Sequence, residues 1–161
     1  MEVIPFDEKY INDVNLIWNE VVAEGVAFPQ EDELTEESGL KFFKSQSFTG
    51  LAIQDGEVVG LYILHPNNVG RCGHISNASY AVKSDIRGMG IGEMLVRHSI
   101  KKAGELGFQI LQFNAVVKNN VKALKLYEKI GFTQLGVIPK GFRLKDRNYV
   151  DIIPHYITVT E

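Results

Sequence analysis

Cysteine is almost absent from this sequence, which holds one, Cys72, in 161 residues. A single cysteine excludes a disulfide framework and any metal site built from several cysteines, and we expect no bound metal. No run approaches the roughly 18 apolar residues of a membrane span. The first ten residues also lack the basic region and apolar stretch of a signal peptide. We therefore expect a cytoplasmic protein with no membrane partner.

A surplus of one charge sign is missing as well. The 17 Lys and Arg residues nearly balance 20 Asp and Glu residues, which gives a net charge of −3. A dedicated nucleic-acid binder normally carries a basic surplus, so we expect no nucleic-acid partner. The chain length suits one domain, and we predict a single domain over residues 1–161. The sequence leaves open whether the chain forms a homodimer.

Hydrophobic spacing predicts a mixed α/β fold with the order β-α-α-β-β-β-α-β-α-β-β. Helices are predicted at 9–24, 35–46, 91–106 and 120–130, and strands at 2–6, 48–54, 58–64, 72–82, 108–116, 132–139 and 149–157. The N-terminal part of the sheet should be largely antiparallel, with a hairpin turn at Asp55-Gly56. The third helix then crosses between two parallel strands, and the second of these, 108–116, is apolar enough to be buried on both faces.

A glycine-rich turn, Arg87-Gly88-Met89-Gly90-Ile91-Gly92, joins the first of these parallel strands to the third helix. Glycines allow a sharp turn and a close approach of ligand to backbone. The N-terminus of the following helix offers unpaired N–H groups, which suit a pyrophosphate. The turn is not a P-loop, because no Gly-Lys-Ser/Thr follows, and the dinucleotide fingerprint fails because residue 93 is Glu. A turn that merely connects strand to helix is the structural alternative.

A second segment, residues 120–132 (NVKALKLYEKIGF), decides between these readings. Together with the R-x-x-G-x-G spacing upstream, it resembles the GNAT superfamily of acyl-CoA-dependent N-acetyltransferases, over roughly residues 48–157. The resemblance implies the GNAT fold, with a parallel βαβ unit that binds acetyl-CoA as cosubstrate. It assigns cofactor contacts to Tyr80, Ala81, Val82, Arg87, Gly88, Met89, Gly90, Ile91, Gly92, Asn120, Ala123 and Tyr127.

The chemistry of acetyl transfer points to two catalytic candidates, Tyr127 and Asn120. The resemblance places Tyr127 near the thioester sulfur, and a phenol with a pKa of about 10 can donate a proton to the leaving thiolate. Asn120 lies seven residues earlier, so both side chains share one helix face. Many GNAT enzymes carry a glutamate base on the strand before the glycine turn, but strand 72–82 has no carboxylate. His74 is a candidate base, and a water relay is the alternative.

The acceptor side of the site is expected to be rich in asparagine. Asn77 and Asn114 occupy predicted strand segments, where asparagine is depleted, and they should converge with Asn120. This pattern resembles the GNAT subgroup that acetylates small amino acids and cyclic imino acids, which implies that Asn77 and Asn114 bind the acceptor amine. Phe28 would line the other wall, and the cationic segment 140–147, read as a loop, would rim the site.

The predicted activity is acetyl-CoA-dependent N-acetylation of a small-molecule amine, with direct transfer in a ternary complex. An acetyltransferase acting on a protein N-terminus or lysine is one alternative. A non-catalytic acetyl-CoA sensor is another, although the retained Tyr127 disfavours it. The alternative that the sequence favours least is an unrelated nucleotide-binding domain.

Overall fold

The computed structural model describes residues 1–159, which form a seven-stranded sheet, a two-stranded sheet and four α-helices. Residues 160 and 161 of the predicted domain lie outside the described residues. The helices are α1 (Ile11–Glu24), α2 (Glu36–Lys44), α3 (Ile91–Glu105) and α4 (Val121–Ile130). The strands are β1 (Glu2–Pro5), β2 (Phe48–Gln54), β3 (Glu57–Pro66), β4 (Ile75–Val82), β5 (Ile110–Phe113), β6 (Thr133–Gln134), β7 (Ile138–Arg143), β8 (Tyr149–Ile152) and β9 (His155–Thr158). Short 3-10 turns lie at Glu8–Tyr10, Gly70–Cys72 and Ser84–Ile86.

The large sheet has the strand order β1-β2-β3-β4-β5-β9-β6. Strands β4 and β5 run parallel, and the other pairs in the described sheet run antiparallel. The predicted fold class, a mostly antiparallel mixed sheet with one parallel βαβ unit, is confirmed. The predicted hairpin between β2 and β3 is also present, with Asp55 and Gly56 both at positive φ (51° and 79°).

Local sequence signals set the ends of the helices. Helix α1 ends at Gly25, which adopts the left-handed conformation with φ of 67° that glycine tolerates best. Helix α2 begins at a capping box, in which Thr35 and Ser38 exchange hydrogen bonds between side chain and backbone. The Asn120 side chain caps α4 by accepting from the N–H of Ala123 at 3.2 Å.

Each face of the sheet buries its own apolar core. On one face, α1 and α2 bury Trp18, whose ring lies 4.4 Å from that of Phe28 and 5.7 Å from that of Phe43, centroid to centroid. On the other face, α3 and α4 cover the sheet. Leu95 of α3 and Leu111 of β5 are fully buried in the core on this face. Both faces of the sheet are therefore covered by helices.

Strands β4 and β5 part almost as soon as they meet. They pair at Ile75–Ile110 and Ser76–Leu111 only. Beyond that point β4 continues to Val82 in pairing with β3, while β5 ends at Phe113. Among the described residues, the edge of β4 that faces β5 has no strand partner from residue 77 to 82, and the sheet opens there into a cleft.

This opening corrects the prediction for residues 108–116. The observed strand covers only Ile110–Phe113, and its residues alternate between half-buried and buried instead of being buried on both faces. Because β5 diverges from β4, the residues after Phe113 have no ladder on that side and turn along the cleft. The apolar run correctly predicts a strand, but the predicted length and the predicted burial on both faces are wrong.

The C-terminal strands also differ from the prediction. Instead of two strands at 132–139 and 149–157 there are four, because Gly136 at a φ of 112° and Pro154 interrupt them. Strands β7 and β8 form a separate two-stranded ribbon. The segment 140–147, predicted as a loop, is therefore strand up to Arg143 and hairpin turn beyond it.

Candidate active site

A long cleft of about 800 Å³ follows the free edge of β4 down to the glycine-rich turn. Tyr80 and Val82 form its strand side, Gly88, Gly90 and Gly92 its far end, and α4 its opposite side. A free strand edge of this kind can accept an extended chain through main-chain hydrogen bonds. The cleft therefore combines a place for an extended amide-containing arm with a turn suited to an anion.

The glycines of the turn leave room that the protein itself does not use. Gly88 and Gly90 have φ of 89° and 82°, so any other residue would be strained there. Gly92 lies in the first turn of α3 without a positive φ, and a Cβ added to it would meet no atom within 4 Å. The fold itself would therefore accept a side chain at position 92. A ligand packed against the backbone at this position would require glycine. Gly90 is the N-cap of α3 and has no side chain that could bond the N–H groups of the first helical turn. Gly92 and Glu93 of this turn line the cleft.

Three ion pairs involve residues that line or adjoin this cleft. Arg87 bonds Glu24 at the end of α1 at 2.8 Å and donates from Nε to the carbonyl of Val82 at 3.1 Å. Glu93, in the first turn of α3, bonds Lys129 at 2.7 Å and Arg97 at 3.3 Å. Lys129 and Arg97 hold the pKa of the Glu93 carboxyl below its usual range. The guanidinium of Arg87 thus anchors the turn to α1 and β4.

A second, smaller cavity of about 220 Å³ adjoins the cleft. The three predicted acceptor residues, Phe28, Asn77 and Asn114, all line it, together with Asn120 and Tyr127. Among the described residues, no Asp, Glu, Lys, Arg or His side chain lines this cavity. Tyr80, Asn120 and Ala123 border both spaces. The two spaces therefore meet at the start of α4.

The local structure around α4 fixes the ring of Tyr127. Its carbonyl accepts from the N–H groups of both Gly131 and Phe132, because Gly131 turns the chain at a φ of 113°. This turn brings the ring of Phe132 to 5.4 Å from that of Tyr127, with Phe113 at 4.7 Å and His155 at 5.5 Å. Burial raises the pKa of Tyr127 to about 12. The phenol therefore stays protonated at neutral pH, as a proton donor must.

An amide cluster that the sequence reading missed stands at the point where β4 and β5 part. The Oδ1 atom of Asn67 accepts from Nδ2 of Asn77 at 3.1 Å and from Nδ2 of Asn114 at 2.7 Å. Asn120 was predicted to converge with Asn77 and Asn114, but its side-chain oxygen instead caps α4. No local pattern marks Asn67, because its partners Asn77 and Asn114 are 10 and 47 residues away in sequence. Asn119 and Lys122, which line the cleft, were also missed.

Several other candidates lie elsewhere. His74 is exposed, precedes β4 and lines neither space, so the structure does not bring this candidate base to the site. Met89 is 68% exposed and lines neither space. The side chains of Ala81 and Ile91 lie in the cores on opposite faces of the sheet, so a contact from either residue would come from its backbone.

Three of the four cations of segment 140–147 line a third groove instead of the acceptor cavity. Arg143, Lys145 and Arg147 line this groove, which shares only Phe28 and Pro29 with the cavity. Arg143 is paired with Glu31, which raises its pKa. The expected cationic rim therefore stands on the far side of Phe28.

The described residues contain no group of three or more His, Cys, Asp and Glu side chains that could hold a metal ion. Within residues 1–159, no helix is long and apolar enough to cross a membrane.

Comparison with known proteins defines the class. The family model described as Acetyltransferase (GNAT) family matches residues 14–132. The match covers most of the chain, which therefore belongs to the GNAT family of acetyltransferases, and the predicted resemblance and enzyme class are confirmed.

Individual relatives agree with this class. The N-acetyltransferase aca1 of Schizosaccharomyces pombe is 37% identical over 95 residues, which are 58% of this chain and 46% of that protein, so the match spans less than half the relative's length. A GCN5-related N-acetyltransferase from Kribbella flavida is 30% identical, with a TM-score of 0.89 over 98% of this chain and 96% of that one. A phosphinothricin acetyltransferase from Sinorhizobium meliloti, solved with AcCoA, has a TM-score of 0.91 at 18% identity over 99% and 89%.

Proposed function

We propose that this chain is an acetyl-CoA-dependent N-acetyltransferase that acetylates the amine of a small amino or imino acid. The observation that carries the proposal is the small uncharged cavity that opens, at Asn120 and Tyr80, onto the long cleft. The cleft suits the donor and the cavity suits the acceptor. Their junction lies beside Tyr127, where transfer would occur.

The donor cleft fits acetyl-CoA by shape and chemistry. The free edge of β4 over residues 77–82 supports pairing with the amide groups of the pantetheine arm. The turn at 87–92, with open space at Gly92 and free N–H groups at the start of α3, suits the pyrophosphate. When bound, acetyl-CoA supplies the acetyl group as a reactive thioester. The protein's part is to orient that group at the junction and to exclude water from it.

Tyr127 is proposed as the proton donor for the leaving thiolate. Its raised pKa keeps the phenol neutral, and its ring is held by Phe113 and Phe132. Cys72, the one thiol that could carry an acetyl group, is exposed and lines neither space, which favours direct transfer in a ternary complex. Because the cavity lining contains no carboxylate or imidazole, the amine proton is proposed to leave through water.

The lining of the cavity favours a compact acceptor. Its volume of about 220 Å³ is below the roughly 300–1,000 Å³ of sites for drug-sized ligands. Neutral amides bind an amine without raising its pKa, whereas a carboxylate would favour the unreactive ammonium form. The relative from Sinorhizobium meliloti is named for a small-molecule acceptor, which is consistent with this class. The side-chain amides that line the cavity can also donate to an acceptor carboxylate, which accepts hydrogen bonds more strongly than an ester does.

The experiment compares acceptors of similar size that differ in charge. We expect free α-amino acids and proline analogues to be acetylated, and their methyl esters or amides to react at least about 10-fold less well in kcat/KM, the scale of one lost charge-assisted hydrogen bond. Thiol release from acetyl-CoA gives the rates. Equal rates on esters and acids, or a preference for spermidine or for peptide N-termini, would contradict the acceptor class while leaving the acetyltransferase class intact.

A further inference from the structure

Asn67 connects the two strands of the site at the place where they separate. Its backbone N–H donates to the carbonyl of Ile75 at 2.7 Å, which ties the loop after β3 to the start of β4. Its side-chain Oδ1 accepts from Asn77 on β4 and from Asn114 after β5. Asn67 is half-buried and does not line the acceptor cavity, whereas Asn77 and Asn114 do.

The single acceptor atom at the centre of this cluster determines how its neighbours are turned. A side-chain amide can place either its oxygen or its NH₂ group in a given direction. An oxygen between Asn77 and Asn114 requires both to point NH₂ groups inward, so their own oxygens point elsewhere. The Oδ1 atom of Asn114 accepts from Nε2 of Gln112 at 3.0 Å. Among the described residues, the Oδ1 atom of Asn77 has no hydrogen-bond partner.

We infer that Asn67 is a positioning residue that turns the Asn77 amide so that an unshared oxygen, and not an NH₂ group, is available to the reacting amine. This inference rests on the proposed function. An amide oxygen accepts an N–H of the amine and leaves the nitrogen lone pair free to attack the thioester carbon. A reversed amide would instead donate to that lone pair and lower its nucleophilicity. The acceptor class that follows is an amine that brings at least one N–H, primary or secondary.

The charge of Asn67 matters as well as its hydrogen bonds. A neutral oxygen at this position orients both neighbours without adding a negative charge close to the amine. A carboxylate there would accept from the same two NH₂ groups, but it would stabilise the ammonium form and raise the amine pKa in the complex. Orientation and charge can therefore be separated by substitution at this one residue.

The experiment uses Asn67→Leu and Asn67→Asp, with Asn68→Leu and Asn68→Asp as matched controls. Asn68 is the exposed neighbour, and its side chain bonds only the adjacent N–H of Val69, at 2.7 Å. We expect Asn67→Leu to lower kcat/KM for the acceptor by about 10-fold or more, with unchanged affinity for acetyl-CoA. Asn67→Asp should restore most of the lost kcat/KM at alkaline pH, because the carboxylate accepts the same two hydrogen bonds. It should also move the rising limb of the kcat–pH profile to higher pH, because the carboxylate raises the amine pKa. Both Asn68 variants should keep the wild-type profile.

A readout without turnover separates this inference from the proposed function. In NMR spectra of the unliganded protein, the side-chain NH₂ signals of Asn77 and Asn114 should move towards solvent-exposed values in Asn67→Leu and stay near wild type in Asn67→Asp. If wild type acetylates no amine but the NH₂ signals behave this way, the proposed function fails and the positioning role stands. Unchanged NH₂ signals in Asn67→Leu, or a kcat–pH profile equally shifted by Asn68→Asp, would overturn the positioning role.

Discussion

Tyr127 shows how surroundings can adapt an ordinary side chain to a chemical task. Three rings, those of Phe113, Phe132 and His155, hold the phenol in place. Burial raises its pKa to about 12, so the phenol keeps its proton across the neutral range and is protonated when the thiolate leaves. Packing and proton donation therefore depend on the same apolar surroundings.

Replacing Tyr127 by Phe removes the proton and keeps the ring. Because Phe retains the ring contacts, the free energy of unfolding should change little, while kcat should fall by about 100-fold or more, the scale of a positioned general acid. The raised pKa adds a second expectation: in wild type, kcat should show no loss of this acid between about pH 7 and about pH 10. Stopped thiol-release assays across that range provide both measurements.

Tyr10→Phe is the matched control, because Tyr10 lies in the 3-10 turn before α1 and lines none of the three spaces. It should behave as wild type. If Tyr127→Phe keeps wild-type turnover, the phenol has a packing role only and the proton donor must be sought elsewhere.

The start of α3 is the element on which the proposed donor binding depends most. Gly92 has ordinary helical φ, and a side chain there would project into open space within the cleft. Gly92→Leu should therefore leave the unliganded protein at least as stable as wild type, because leucine favours helix more than glycine does. The same side chain should block the close approach of a pyrophosphate.

Thermal unfolding with and without acetyl-CoA measures this effect. Wild type should gain about 2.7 kcal/mol at one hundred times the dissociation constant. Gly92→Leu should gain almost nothing, and Lys101→Ala, an exposed change on the same helix, should keep the wild-type gain. An undiminished gain in Gly92→Leu would place the donor away from this turn.

The elements themselves were largely predictable, since their signals are local. The Asp55-Gly56 hairpin appears as predicted, and the caps at Gly25, Thr35 and Asn120 are likewise set by neighbouring residues. The length of β5 was not predictable, because its ladder with β4 ends at Leu111 and its ladder with β9 ends at Phe113. An apolar run records burial, but it does not record which neighbouring strand is present to pair with it.

The site was predictable in part. Phe28, Asn77, Asn114, Asn120 and Tyr127 line one cavity, and each of them was predicted from the sequence as a site residue. Asn67 escaped because its role arises from contacts with residues 10 and 47 positions away. No local pattern in the sequence distinguishes such a residue from any polar residue in a loop.

In the whole molecule, the cleft and the cavity proposed for the two ligands meet at one gap in the sheet. The donor cleft and the acceptor cavity share Tyr80, Asn120 and Ala123, so their contents would touch. A net charge of −3 provides no strong field for acidic macromolecules, which is consistent with recognition of a small acceptor by contact. Transfer between two ligands that touch needs no carrier residue on the protein.

Mass spectrometry of a complete reaction mixture examines this arrangement as a whole. The purified chain is incubated with acetyl-CoA and a single free amino acid or proline analogue, and thiol, acetylated amine and intact protein are quantified together. The structure predicts one thiol released for each N-acetylated acceptor, with the protein mass unchanged throughout. Absence of transfer to any amine, or an acetyl group that accumulates on the protein and is then passed to the acceptor, would contradict direct transfer across this gap.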